Sequence, residues 1–205
     1  DNLLPDSADI RRRVQTQFRT PSSSAFDLLE AIGRDCVGAV QLLSTEAQPT
    51  GWNTIEAQEL SPSEIESWLN RVTTTAHRMG ESGDDSFRIS LAGAQEKTAL
   101  TWHQGRWCRP HGATPTTHIF KRPMGLVGNR QADMSTSVEN EWLCAQLANA
   151  FGLPGAGCEM AQWGASKTLV VERFDRRLSE GGQYWLRLPQ EDFCQALGLP
   201  SHLKY

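Results

Sequence analysis

The chain has 205 residues, enough for one ordinary domain or two small ones, with 39% hydrophobic residues, seven Trp and seven Phe, which excludes wholesale disorder. Lys and Arg number 20 against 24 Asp and Glu, a formal net charge of −4, which argues against a free-standing binder of nucleic-acid backbone. The five cysteines, Cys36, Cys108, Cys144, Cys158 and Cys194, are scattered, form no C-x-x-C pair, and read as reduced thiols of a cytoplasmic protein. No apolar run is long enough to span a membrane. The start, Asp1-Asn2-Leu3-Leu4-Pro5-Asp6, lacks the basic and apolar zones of a signal peptide, and Asp1 in place of Met suggests a start inside a longer product.

The pattern predicts a mainly helical region over residues 1–79. Ser7 or Asp9 caps a helix running to Phe18, and Phe26, Leu29 and Ile32 stripe a second that Gly33 ends. Ser61-Pro62-Ser63-Glu64 opens a third, whose buried face carries Ile65, Trp68, Leu69 and Val72. Gly80 to Asp85 is a polar joint, and residues 80–205 form a second region with strand-like alternation. Strands are expected at Phe87–Leu91 and Thr98–Trp102, the latter turning through His103-Gln104-Gly105-Arg106 into Trp107-Cys108. Thr117–Lys121 is another, followed by a loose loop over Gly125–Arg130. A helix spans Ser137–Phe151 with Leu143, Cys144, Leu147 and Phe151 inward and Glu139, Asn140 and Glu141 at its start. Two strands follow between Met160 and Phe174, one near Tyr184–Leu188, and a short helix over Glu191–Leu197.

Ser90-Leu91-Ala92-Gly93-Ala94-Gln95-Glu96-Lys97-Thr98 is the sharpest chemical feature. Small residues between two strands let backbone N–H groups approach phosphate oxygens, and the following Lys adds a point charge. With one Gly, the spacing alone favours a plain β-turn, and it lacks the Gly-Lys-Ser/Thr ending of a Walker loop. Lys121 follows one hairpin later on a strand, and an acid-bearing helix comes next. That order of loop, strand Lys and acidic helix is the one a kinase nucleotide lobe requires. Glu172-Arg173-Phe174-Asp175-Arg176 ends an apolar strand where free backbone groups could meet an adenine edge. The histidines show no metal-site spacing, and no Gly-x-Ser-x-Gly elbow or paired-carboxylate motif is present.

The runs Ile89–Leu100, Thr114–Lys121, Val171–Arg176 and Leu188–Asp192, together with Asp1–Pro5 and Ile32–Val40, resemble the HipA family, serine/threonine protein kinase toxins of bacterial toxin–antitoxin modules. The resemblance implies an α+β fold: a protein-kinase-like N-terminal lobe with an antiparallel sheet and helix, preceded by the helical region. It implies that the loop Ala92, Gly93, Ala94, Gln95, Glu96 and Lys97 holds the ATP phosphates, that Lys121 reaches them, and that Glu172, Arg173 and Phe174 face the adenine. Ser90 matches the family's autophosphorylated serine. The implied cofactors are ATP and Mg²⁺, the substrate glutamyl-tRNA synthetase, and the partner a HipB-like helix-turn-helix antitoxin that makes most contacts to operator DNA. The residues after Arg176 hold no Asp-x-x-x-x-Asn run and no Asp-Phe-Gly, so no catalytic or metal-binding residue is assigned, and both sets are expected beyond Tyr205. A non-catalytic module that binds an antitoxin or another protein is the other reading.

Overall fold

The computed structural model describes residues 2–43, 45–48, 50–73, 91, 95, 97–128 and 131–203, with the backbone alone for 71–73. The expected joint at Gly80–Asp85, all of the Phe87–Leu91 strand except Leu91, and Ser90, Ala92, Gly93, Ala94 and Glu96 lie outside the described residues.

Helix α1 is Ala8–Phe18, where the Ser7 hydroxyl accepts the Ile10 N–H as N-cap, and α2 is Ala25–Ile32, capped by Ser24. Leu4, Leu28 and Ile32 form their small core, against which Val14, Phe18 and Leu29 pack. Phe26, expected inward, is 77% exposed, because Leu28 takes the buried side of α2. Strand β1, Ala57–Glu59, and helix α3, Pro62–Thr73, follow.

The remaining elements are β2 Lys97–His103, β3 Arg106–Pro110, β4 His118–Lys121, β5 Gly125–Val127, β6 Ala132–Met134, α4 Ser137–Ala150, β7 Cys158–Trp163, β8 Ser166–Glu172, β9 Arg176–Leu178, β10 Trp185–Arg187 and α5 Phe193–Ala196. Six strands make one sheet in the order β1-β3-β2-β4-β8-β7, with every neighbour antiparallel. The β2–β3 turn places Gln104 and Gly105 at φ 50° and 79°, the pair of left-handed residues a two-residue hairpin favours. Gly125–Arg130, read as loose loop, instead contributes β5, which pairs with β6 in a hairpin. The α+β fold class with its antiparallel sheet is as the sequence implies.

One sheet face carries the main core. Leu100, Phe120, Val170 and Trp163 are buried against Ile65 and Leu69 of α3, with Trp107 and Trp68 at the edge. The Phe120 ring lies 4.9 Å from Trp107 and 5.4 Å from Trp163, and each such buried side chain stabilises by about 1.5–3 kcal/mol. Trp68 closes the edge by donating its indole N–H to the Thr98 hydroxyl at 2.9 Å. Residues 57–73, grouped by sequence with the N-terminal helices, are thus built into the sheet: β1 pairs with β3, and α3 covers the face.

Helix α4 lies across the other face, next to β7 and β8. Its inward residues are Val138, Glu141, Trp142, Ala145 and Ala148, at helical spacing. The expected inward stripe is turned outward: Leu143, Leu147 and Phe151 are 52%, 50% and 81% exposed, and Cys144 and Asn140 are exposed as well.

Candidate nucleotide site

Antiparallel register fixes what the α4 face of the sheet presents. Lys97 opposes Lys121, which opposes Leu169, which opposes Met160; one pleat further, Ala99, Ile119, Val171 and Cys158 form the next row. Directly opposed residues point to the same side, so two lysines sit beside an apolar floor of Ala99, Ile119, Leu169 and Val171. Like charges facing each other across a ladder are unfavourable unless an anion answers them. At Lys121 the answer is in the chain: its ammonium forms an ion pair with the Glu141 carboxylate of α4. A second pair joins Lys167 of β8 to Glu139, whose pKa is lowered by that contact.

The two pairs orient α4 with its acidic start over the sheet. In the observed rotation Glu141 faces Lys121, and the half-buried Ala145 and Ala148 follow on that side at helical spacing. Sequence reading placed Glu139, Asn140 and Glu141 together at the helix start; the geometry selects Glu141 for Lys121 and leaves Asn140 outside. Cys158 lies in the same neighbourhood, and its thiol is raised by burial and by the Glu141 carboxylate, with Lys121 opposing.

Gln95 is the described residue of the Ala92–Lys97 loop that precedes β2. Its side-chain amide donates to the Arg122 carbonyl at 2.9 Å, which ties the loop to the residue directly after Lys121. Arg122 in turn donates to the Leu69 carbonyl of α3 at 3.1 Å. Gln95, Lys97 and Lys121 are therefore brought to one end of the sheet.

At the other end, β8 runs into Glu172-Arg173-Phe174. The Glu172 N–H is bound to the Gly157 carbonyl and the Arg173 N–H to the Thr117 carbonyl, so these donors are engaged within the protein. Arg173 departs from the expectation of an adenine-facing side chain: its guanidinium is buried and turned inward. It donates to Asp175 at 2.8 and 3.0 Å, to the Thr116 hydroxyl at 2.9 Å, to the Cys36 carbonyl at 3.0 Å and to Asp35 at 3.3 Å. Phe174, between two inward residues, projects outward and is 68% exposed.

Asp35 is the centre of this cluster and was not singled out from the sequence. Its carboxylate meets Arg173, Arg176 and Arg187 and accepts from the Thr116 N–H and hydroxyl. Burial alone would raise its pKa; the three guanidiniums and the Thr116 hydroxyl hold it far below the usual carboxylate range. Burial draws Arg176 down to about 10, whereas for Arg173 the Asp35 and Asp175 carboxylates outweigh burial and raise it. Burial and the adjacent Asp35 push the Cys36 thiol up to about 11, which keeps it protonated. Nothing local to Asp35 signals its partners, which lie 81 to 152 positions away in sequence.

Among the described residues, no three His, Cys, Asp or Glu side chains stand together to hold a metal ion, and no helix is long and apolar enough to cross a membrane.

Comparison with known proteins places the chain in a family. The HipA N-terminal domain family matches residues 1–43, and the HipA-like C-terminal domain family matches residues 89–205. The Y4mE protein of Sinorhizobium fredii is 34% identical over 99% of this chain and 46% of its own length. The serine/threonine-protein kinase toxin HipA of Shewanella oneidensis is 31% identical over all of this chain and 43% of its own. A solved complex of Shewanella oneidensis HipA, HipB and operator DNA contains a chain that superposes with a TM-score of 0.71 at 29% identity, covering all of this chain and 44% of that one. The chain thus spans less than half the length of these relatives.

Proposed function

The chain belongs to the HipA family, and from that membership we propose that it forms the nucleotide-binding part of an ATP-dependent serine/threonine protein kinase toxin. The observation that carries the proposal is the Lys121–Glu141 ion pair at the end of a strand, beside a loop anchored through Gln95. A strand lysine held by a helix acid is the device by which kinases fix a cation against the α- and β-phosphates.

In this reading the half-buried Ile119 and Val171, with Ala99 buried beside them, form the floor that takes the adenine, with Phe174 and the backbone around Glu172 and Arg173 at its rim. The phosphates lie toward Lys97, Lys121 and the Ala92–Glu96 loop. The residues present fit a nucleotide, since an apolar shelf ends in two cations. Magnesium has no ligand set among the described residues, so no step is derived through it.

Glu141 keeps the Lys121 ammonium in place, and α4 and the sheet exclude water on one side, which strengthens the contact to an anion. Phosphate transferred to Ser90 would add about −1.5 to −2 charge directly before the loop and oppose ATP there. We also propose a HipB-like antitoxin as partner, with operator DNA contacted chiefly through it, and glutamyl-tRNA synthetase as substrate. The antitoxin proposal is supported by the related structure, which contains HipA, HipB and operator DNA.

The test is Lys121→Met in the full-length protein. Loss of a charge-assisted contact is expected to weaken ATP binding by about 1.5–3 kcal/mol and to cost more in phosphotransfer, while the fold persists. ATP titration and label transfer read both. Undiminished transfer by a folded Lys121→Met protein would overturn the assignment.

A further inference from the structure

We propose that Asp35, in the segment after α2, is a positioning residue for the adenine end of the site: it sets the path of residues 173–176 and thereby holds Phe174 outward. The proposal rests on the nucleotide reading above and adds to it a segment that would touch no ligand.

Asp35 is 5% exposed, and Arg173, Asp175 and Arg176 are 3%, 3% and 6% exposed, so the contacts form in the interior, where charge pairs are screened least. Both carboxylate oxygens of Asp35 are used on this stretch: one accepts from Arg173 at 3.3 Å, the other from Arg176 at 3.1 Å. Backbone from the same segment completes the grip. The Cys36 carbonyl accepts from Arg173 at 3.0 Å and from Arg176 at 2.8 Å, the Gly38 carbonyl accepts from Arg176 at 2.9 Å, and the Gly38 N–H donates to Asp175 at 2.7 Å. Gly38 is required for that approach: its φ is +71°, and a Cβ would come within 3.1 Å of the Gln190 carbonyl oxygen.

The charge balance singles out Asp35. Three guanidiniums, from Arg173, Arg176 and Arg187, face two carboxylates, from Asp35 and Asp175. Removing the Asp35 charge leaves three buried or half-buried cations with one counter-charge. The relief open to them is for a guanidinium to swing toward water, and Arg173 and Arg176 carry the backbone on either side of Phe174 with them. An effect confined to this end predicts a loss of affinity for the base and none for the phosphates, which lie with Lys97, Lys121 and Gln95.

The experiment compares Asp35→Asn with the unaltered full-length protein for binding of ATP and of inorganic tripolyphosphate, with amide hydrogen exchange at 172–176. Asp35→Asn is expected to weaken ATP binding about tenfold, leave tripolyphosphate unchanged, and speed exchange at 172–176. Asp35→Glu, which keeps the charge but displaces it by one methylene and alters no residue of 172–176, is expected to give the same selective loss in smaller degree. It decides the matter if Asp35→Asn does not fold. Equal ATP affinity, or a parallel loss of both ligands, in the folded variant would overturn the proposal. Failure of the unaltered protein to bind ATP would instead overturn the nucleotide reading itself, and this proposal with it.

Discussion

Buried charge and buried imidazole make stability depend on pH in two steps at the scale of single residues. His118 stacks edge-on against Trp107 at 4.9 Å, and burial lowers its pKa, with Glu172 opposing. As pH falls past about 6.5 the unfolded chain takes up a proton that the folded one does not, so stability is lost on the acid side. For Asp35 and Asp175 the folded values are also depressed; their contribution is complete above about pH 4 and is lost as pH falls further. Urea midpoints followed from about pH 8 to about pH 3 should decline in both intervals, and His118→Asn should abolish the upper step alone. The same residues show what a sequence can disclose. Lys121 was legible because its neighbours in function follow it in order along the chain, as loop, strand and acidic helix. Asp35 was not, because a carboxylate in a short loop looks like solvated surface until the arginines of the 173–187 segment are folded onto it.

At the scale of elements, α4 shows where periodicity misleads. Its apolar residues Leu143, Leu147 and Phe151 recur at helical spacing and by pattern alone should be core, yet the side that carries Glu141 and its ion pair faces the sheet. In this rotation the two ion pairs and the small side chains of Ala145 and Ala148 lie on the sheet side. It follows that Leu143→Gln and Leu147→Gln should each change the stability of the 205-residue chain by no more than about 0.5 kcal/mol. Leu100→Ala, in the sheet core, should cost about 2–5 kcal/mol. Chemical denaturation of the three variants checks this, and a cost above about 2 kcal/mol at Leu147 would place its side chain against a partner in solution. The strands were more legible than this helix, since alternation in Thr98–Trp102 and Thr117–Lys121 reports a sheet with one apolar face whatever covers the other. The β5–β6 hairpin escaped notice because three-residue strands are too short to alternate visibly.

For the whole molecule, the pieces needed to fold and the pieces needed to transfer phosphate separate. The six-stranded sheet has α3 packed on one face and α4 on the other, and the Asp35 cluster fastens the N-terminal segment to the end of β8. That is a complete core, so the 205-residue chain should show a cooperative thermal transition by circular dichroism. Transfer asks for more: carboxylates that bind magnesium between the phosphates, and an acidic group that receives the proton of the acceptor hydroxyl. Among the described residues no metal-holding cluster is present, and the relatives to which this chain aligns throughout are more than twice its length. Where those groups are missing, the charge developing on the transferred phosphoryl group is answered by lysine alone, and most of the electrostatic stabilisation is lost. The nucleotide should also bind weakly, because the Lys121 and Glu141 side chains are 22% and 41% exposed, which leaves the charged contacts open to water. Incubated with labelled ATP, Mg²⁺ and glutamyl-tRNA synthetase, the chain alone is therefore expected to leave both Ser90 and the synthetase unlabelled. Stoichiometric label on either would place the base and the magnesium ligands within these 205 residues.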